Sequence, residues 1–281
     1  MNHRINCIKR HILNFFTIII CFGCIDEDVS TCPDFGKYPI ELNDDNSLLN
    51  LDLKGTLSVL YDGQQIEHRA TTKAQNSCIL YLNQKLSLFP GNYKLIMVSG
   101  SKDPSIKGDS IALKNGQLLF RADSTYMVAK KRVNSLDIRF KPLFALITAS
   151  CSLDDSNYTL KETSISPPDD YGIYSNLRTN QTILSEVSGE FFIVMTKGEG
   201  ENVRFTSVPA KEGVLIRFRF KLESIKDGSQ VVLYSGFYLQ QKLLPGNILN
   251  LRFLLTPNRV VLSGYSLKPW NEIEFENIIF I

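Results

Sequence analysis

Apolar and polar residues alternate with a period of two over most of this chain, and that pattern restricts the fold more than any other feature. The clearest case is the run from Val214 to Glu223. Its apolar face consists of Val214, Ile216, Phe218, Phe220 and Leu222. Charged residues make up most of the other face, which predicts a strand with one buried side and one side in water. Since no stretch longer than about ten residues has a convincing helical period, we expect an all-β fold.

About sixteen short runs of this type are separated by turn residues, which is typical of antiparallel β-sandwiches. Pro90-Gly91-Asn92 is one of the predicted turns. The chain has 281 residues, and two Greek-key sandwiches in tandem fit this length better than one. Lys141-Pro142 marks the predicted boundary, because a proline cannot donate a hydrogen bond to a β-ladder. The expected domains are therefore residues 51–142 and 143–281.

The N-terminus has the composition of a signal peptide. Basic residues without any acid precede an apolar run from Ile12 to Phe22, which is too short to cross a bilayer. Gly23 then stands before Cys24, and an acidic, polar segment follows at once. We interpret residues 1–23 as the signal peptide of a lipoprotein, Cys24 as its lipidated residue and residues 24–50 as a tether. The alternative is an ordinary secretory signal followed by a coincidental cysteine.

The cysteines after the signal leave disulfide pairing open. Cys78 and Cys151 both fall in strand-like runs and could form a disulfide in an oxidising compartment. Each could equally be a small buried hydrophobic residue. Cys32 has no obvious partner. If Cys24 is acylated, an odd number of thiols remains, so at least one of them is not in an intramolecular bridge.

Charge and motif content argue against several functional classes. The chain has 31 basic and 29 acidic residues and no basic footprint, so we expect no nucleic-acid partner. His68 has no nucleophile motif near it in the sequence, and an exposed loop histidine accounts for it better than a catalytic base. Asp154-Asp155 and Asp169-Asp170 lie in loop-like segments, where solvated carboxylates are commoner than glycosidase acids. We therefore expect no enzymatic activity, no cofactor and no metal site.

Several motifs, taken in their order along the chain, resemble one family. Residues 24–33 read Cys-Ile-Asp-Glu-Asp-Val-Ser-Thr-Cys-Pro, which is similar to the mature start of FimB-like anchor subunits of Bacteroidota type V fimbriae. Leu88 to Leu95 resembles a strand entry in the first domain of those subunits. Leu244 to Leu251 and Tyr265 to Trp270 resemble the closing strands of the wider fimbrillin superfamily. The resemblance implies two tandem transthyretin-like β-sandwiches.

The resemblance also implies a function, a location and partners. It implies a fimbrial anchor or accessory subunit that joins other fimbrial subunits by strand addition. Acylated Cys24 would hold it in the lipid of the outer membrane, and the acids that follow resemble a surface-export signal. In related subunits a trypsin-like cut can free a groove, but an uncut hairpin is the favoured interpretation for Arg69. The apolar end Ile278 to Ile281 is a candidate donor strand, although closing its own domain is favoured.

Three alternatives to the anchor stay open. The first is a stalk or tip fimbrillin. The second is a lipid-tethered β-sandwich adhesin that captures a glycan or a host protein, for which more than one exposed aromatic side chain in a cleft would be expected. The third is a hydrolase, which would require two carboxyl groups about 5 to 10 Å apart in a deep pocket.

Overall fold

The computed structural model describes residues 38–44, 54–61, 64–71, 87–101, 104–128, 134–138, 140–197 and 202–269. These ranges contain strands and no helix, so the prediction of an all-β fold is confirmed. None of the described segments has the helical length and apolarity that a bilayer crossing requires.

In its described residues, the first half of the chain contains ten strands, eight of which form two sheets. The strands are β1 (Tyr38–Asp44), β2 (Lys54–Tyr61), β3 (Gln64–Thr71), β4 (Ser87–Leu88), β5 (Gly91–Gly100), β6 (Ile106–Lys107), β7 (Ser110–Ala112), β8 (Leu119–Val128), β9 (Asn134–Ile138) and β10 (Lys141–Pro142). One sheet is antiparallel, with the order β10-β8-β5-β2-β3. The other has the order β4-β1-β9, and β1 runs parallel to β9.

The second half forms a two-layer sandwich. Its strands are β11 (Ala145–Leu153), β12 (Tyr158–Ser166), β13 (Tyr174–Asn176), β14 (Ile193–Val194), β15 (Thr196–Lys197), β16 (Asn202–Ser207), β17 (Leu215–Ser224), β18 (Gln230–Tyr238), β19 (Asn247–Thr256) and β20 (Arg259–Pro269). One layer has the order β15-β16-β11-β19-β20 and the other β14-β12-β17-β18. Within the first layer β11 and β19 are parallel.

A cluster of buried aromatic rings joins the two layers of this sandwich. Phe218 and Phe220 on β17 face Phe253 on β19, with ring centroids 5.0 and 5.1 Å from that of Phe253. All three side chains are fully buried. Burying a side chain of this size contributes about 1.5–3 kcal/mol, so the alternation that predicted β17 also identifies part of the principal core.

Hydrogen bonds connect the two halves across the predicted boundary at Lys141-Pro142. Strand β13 from the second half pairs with β7 from the first, and β6 completes this three-stranded sheet. Beside it, the Asn115 side chain donates to the Pro168 carbonyl at 2.7 Å and accepts from the Val208 N–H at 3.0 Å. We call this contact region the junction. The domain limits 51–142 and 143–281 stay a prediction.

Three segments differ from their predicted local structure. Residues 38–44 lie in the segment interpreted as a tether, but they form β1, which pairs with β9. His68 was expected in a loop, whereas it lies within β3 opposite Leu57 on β2. Alternation in the sequence predicts two separate runs, Gln117 to Arg121 and Tyr126 to Ala129, where the structure has one continuous strand, β8. In each case pairing with another strand determined the structure, and single-sequence periodicity does not contain that information.

Candidate functional site

Among the described strands, β18 is an edge of the second-half sandwich, and its own sequence has none of the residues that usually protect an edge. Its sequence, Gln-Val-Val-Leu-Tyr-Ser-Gly-Phe-Tyr, contains no charged residue and no proline. The other long edges in the described part of the chain are β3 and β20. Both carry charged residues, and β20 also has a register shift opposite Arg252 and Phe253. Charges, prolines and bulges are the devices that keep an edge from pairing with another chain.

The hydrogen-bond pattern identifies which backbone groups β18 presents outward. Leu239 N–H donates to the Val214 carbonyl at 3.0 Å, and Ser224 N–H donates to the Ser229 carbonyl at 2.8 Å. Hydrogen-bonded and non-hydrogen-bonded pairs alternate along an antiparallel ladder. The even-numbered residues of β18 therefore direct their N–H and C=O groups away from β17. Within the described residues, Gln240 Nε2 donates to one of these carbonyls, that of Tyr238, at 3.0 Å.

The same even-numbered positions carry exposed apolar and aromatic side chains. Val232 is 43% exposed, Tyr234 64% and Tyr238 58%. Phe191, in the loop before β14, is 79% exposed. Phe192 next to it contacts Tyr234, with ring centroids 5.9 Å apart. The β18 edge thus offers backbone donors and acceptors beside an apolar surface, which is the combination that strand addition uses.

The hairpin that ends in β18 is fixed by a tight turn. Asp227 Oδ1 accepts hydrogen bonds from the Ser229 N–H at 3.1 Å and the Ser229 hydroxyl at 2.8 Å. Hydrogen bonds from the Ser224 hydroxyl, in the first place, and from Ser229 lower the pKa of Asp227 to about 2. Gly228 adopts a positive φ of 71°, which only glycine accepts readily. An Asp-Gly pair between two alternating runs is a strong hairpin signal.

A charged network beneath Tyr234 holds the surface next to β18 in place. The Glu162 carboxylate accepts hydrogen bonds from Lys221 at 2.7 Å, Ser164 at 2.6 Å and Arg219 at 3.1 Å. The hydrogen bonds from Lys221 and then Ser164 contribute most to lowering the pKa of Glu162 to about 2. The Arg219 guanidinium also lies 5.2 Å from the ring centre of Phe192. A cation in this position attracts the ring, so the network orients the Phe192 ring that packs against Tyr234.

This network predicts a loss of stability in acid. Because the folded-state pKa of Glu162 is lowered from 4.5, its contribution is complete above that pH and is lost as the pH falls towards 2. We expect Glu162→Gln to lower the free energy of unfolding at pH 7 and to remove part of the decrease that the wild type shows between pH 4.5 and 2. Urea unfolding at a series of pH values measures both effects. A variant with the wild-type pH dependence would contradict this role.

Of the cysteines considered for lipidation or a disulfide, the described residues include Cys151. Cys151 lies on β11, buried in the sandwich core, with its Sγ 4.0 Å from the Thr163 hydroxyl. Cys24 and Cys78 lie outside the described residues, as do Trp270 and the end of the chain. Lipidation at Cys24 and a bridge between Cys78 and Cys151 therefore stay predictions.

The two pairs of adjacent aspartates that were considered as candidate glycosidase acids include residues with local structural roles. Asp155 Oδ1 accepts from the N–H of Asn157 at 2.9 Å, which closes a turn. Asp170 belongs to the junction, where its carboxylate accepts from Lys114 at 3.2 Å and from the Asn115 N–H at 3.0 Å. No cluster of three or more histidine, cysteine or acidic side chains that could hold a metal occurs among the described residues.

Comparison with solved structures identifies proteins of similar fold. A candidate cell adhesion protein from Bacteroides uniformis superimposes with a TM-score of 0.61 and 11% sequence identity, covering 85% of this chain and 100% of its own. A candidate cell adhesion protein from Bacteroides fragilis gives a TM-score of 0.52 at 12% identity, with 84% and 98% covered. A third, from Bacteroides ovatus, gives 0.52 at 9% identity, with the same coverage. No protein-family model matches the sequence, and comparison with characterised protein sequences gave no match.

Proposed function

We propose that this chain is a non-enzymatic, cell-surface subunit of a fimbria or related adhesive structure. In this proposal it joins another protein chain by strand addition at β18, and acylated Cys24 holds it in the outer membrane as an anchor or accessory subunit. The observation that carries the proposal is the long, uncharged edge of β18, with outward backbone groups at Val232, Tyr234 and Gly236. Such an edge is a hazard to a surface protein unless a partner strand covers it.

Two further observations support a structural rather than a catalytic role. The fold is shared with candidate cell adhesion proteins of Bacteroides, although similarity at this level of identity concerns the fold alone. In addition, Asp155 and Asp170, from the two acid pairs that could have served a hydrolase, stabilise a turn and the junction. The order of the motifs at Cys24, Leu88 and Leu244 favours an anchor or accessory subunit over a stalk or tip.

A lysine at the centre of the edge tests the strand-addition step. We expect Tyr234→Lys to reduce recovery of the chain in high-molecular-mass surface assemblies at least about tenfold, because a charged side chain on an edge opposes pairing. Tyr171→Lys is the matched control, since Tyr171 is an exposed tyrosine in a loop away from β18. Gel filtration of detergent extracts from cells that express each variant measures the recovery.

Hydrogen exchange provides a readout at the level of the backbone. In the isolated wild-type chain, the amides of Val232, Tyr234 and Gly236 should exchange rapidly, and in the assembly they should be protected. Equal recovery of both lysine variants, or unchanged exchange at these three amides on assembly, would rule out β18 as the contact. A melting temperature close to that of the wild type shows that each variant is folded.

A further inference from the structure

A second surface feature lies on the other layer of the second-half sandwich, on the face turned away from the core. Three strands, β11, β19 and β20, form the floor of an open cavity of about 430 Å³, and β16 forms one side. This is within the size range of small-molecule sites. We call it the outer-face pocket. The inference needs no partner strand at β18, so it does not rest on the proposed function.

The floor of the outer-face pocket is a row of neutral hydrogen-bonding side chains. Strand register places Thr148, Asn250 and Ser266 side by side on three adjacent strands. The Thr148 hydroxyl donates to Asn250 Oδ1 at 2.7 Å, and Asn250 Nδ2 donates to the Ser266 hydroxyl at 3.4 Å. These contacts fix the orientation of the Asn250 amide. Tyr265 also lines the pocket, but its ring lies on the core side of β20, where it packs on Phe237 of β18 with ring centroids 5.0 Å apart.

Three cations surround this neutral row. Arg204 lies at one end of the row, beside Thr148. Lys268 and Arg252 lie in the rows above and below, next to Ile248 and Gly264 respectively. None of the three makes a salt bridge with any residue in the described part of the chain. The described residues that line the pocket include no aspartate or glutamate.

The position of the Arg252 guanidinium depends on the glycine opposite it. A Cβ built on Gly264 would lie 3.0 Å from Arg252 Nη2 and 3.3 Å from Nε. The guanidinium therefore occupies the space that a side chain at position 264 would fill. Because the close atoms are the far end of a flexible side chain, a methyl group at position 264 would displace the guanidinium without disrupting the strand.

We propose that the outer-face pocket binds a saccharide unit that carries a carboxylate. Three cations with no ion-pair partner among the described residues attract an anionic ligand, and arginine binds carboxylates through two parallel hydrogen bonds. The neutral row between them matches the hydroxyl groups of a sugar ring, since hydroxyl and amide groups can both donate and accept.

An acidic peptide fits the pocket less well. A peptide strand that paired with the edge strand β20 would lie beside the outer-face pocket and not across its floor. An acidic side chain held by the arginines alone would leave the neutral row without partners. Of the apolar lining residues, Leu146, Ile248 and Leu251 are buried, so the pocket has no apolar recess for a peptide side chain. The ring-sized polar floor between Arg204 and Arg252 therefore favours a sugar over a peptide.

Calorimetric titration of the purified full chain tests the proposal with two disaccharides of equal size. Digalacturonate carries carboxylates, and digalactose is its neutral counterpart. We expect binding of digalacturonate at least about tenfold tighter than that of digalactose, and weaker at high salt, because exposed charges are screened. Arg204→Gln and Arg252→Gln should each weaken digalacturonate binding at least about fivefold. Arg259→Gln should leave it within about twofold, because Arg259 is exposed on β20 outside the pocket.

Gly264→Ala tests the position of the Arg252 guanidinium while the charge of Arg252 is kept. The variant keeps all three cations and should weaken digalacturonate binding, but by less than Arg252→Gln, because the guanidinium needs to move only a few tenths of an ångström. No binding of digalacturonate at millimolar concentration would overturn the proposal, as would equal affinity for digalactose or full affinity in both arginine variants. A glutamate-rich peptide of equal charge that binds as tightly as digalacturonate would also overturn it.

Discussion

Replacement of Cys24 by alanine is expected to move the protein from the membrane fraction to the soluble fraction. In the proposed function two or more acyl chains on Cys24 hold the chain in the outer membrane, and each buried CH₂ group contributes about 0.8 kcal/mol to partitioning. The loss of two chains should therefore abolish membrane retention almost completely. Intact mass spectrometry of the wild type should show the lipid mass on a chain that begins at Cys24.

Nearby cysteines provide the controls for this experiment. Cys21→Ala should leave lipidation intact, since Ile20 before Cys21 is too large for the residue that precedes a lipidated cysteine. Cys32→Ala should also leave it intact, because Cys32 lies beyond the proposed cleavage site. A Cys24→Ala variant that stays in the membrane, or a wild-type chain that begins elsewhere without lipid, would contradict the anchor role.

Periodicity predicted the strands that have one buried face. The predicted apolar face of the run from Val214 to Glu223 is buried throughout: Val214 just before β17, and Ile216, Phe218, Phe220 and Leu222 within it. That success has a physical reason, because a strand between a core and water must alternate. Strand β12 shows the limit of the method. Its side chains at Ser164 and Ser166 are buried polar groups, and Glu162 is held by cations, so its core pattern is too weak to detect.

The candidate sites depend on sheet order more than on local pattern. The sequence from Val231 to Leu239 predicts a strand, and β18 occupies nearly the same residues. Its position at an edge is visible only once the order β14-β12-β17-β18 is known. The outer-face pocket combines Arg204 on β16, Asn250 on β19 and Lys268 on β20. Strand β16 reaches the other two only through β11, which pairs with β16 on one side and with β19 on the other. Sequence distance conceals such a cluster.

The junction links the predicted N-terminal anchor to the proposed contact strand. A force applied at β18, in the second half, would reach a membrane anchor before residue 38 through both halves of the chain. Arg121 on β8 is the most buried charged group at the junction, with 3% of its side chain exposed. Its Nη1 donates to the Asn176 carbonyl at 2.9 Å, and its Nη2 donates to the Leu177 carbonyl at 2.6 Å. It also forms an ion pair with Asp123 at 2.9 Å.

Arg121→Met should lower the free energy of unfolding by several kcal/mol, because each buried carbonyl group left without its donor costs about 1–3 kcal/mol. Loss of the ion pair adds little, since the Asp123 side chain is 37% exposed. The apolar side chain would fill similar space but leave two carbonyl groups at the junction without their donor, and Asp123 without its cation. Urea unfolding measures the loss. We also expect the two halves to unfold in separate transitions in the variant, because their contact is weakened, and this is seen by following several probes.

A second arginine at the junction offers a matched comparison. Arg178 Nε lies 2.7 Å from Asp109 Oδ2, and it also joins the two halves, but its side chain is 48% exposed. Exposed ion pairs contribute about 0–1 kcal/mol, so Arg178→Met should cost no more than that. If both variants lost the same small amount, burial of Arg121 would not be what couples the halves. A large loss confined to Arg121→Met would identify its hydrogen bonds to Asn176 and Leu177 as the coupling through which the proposed anchor bears load.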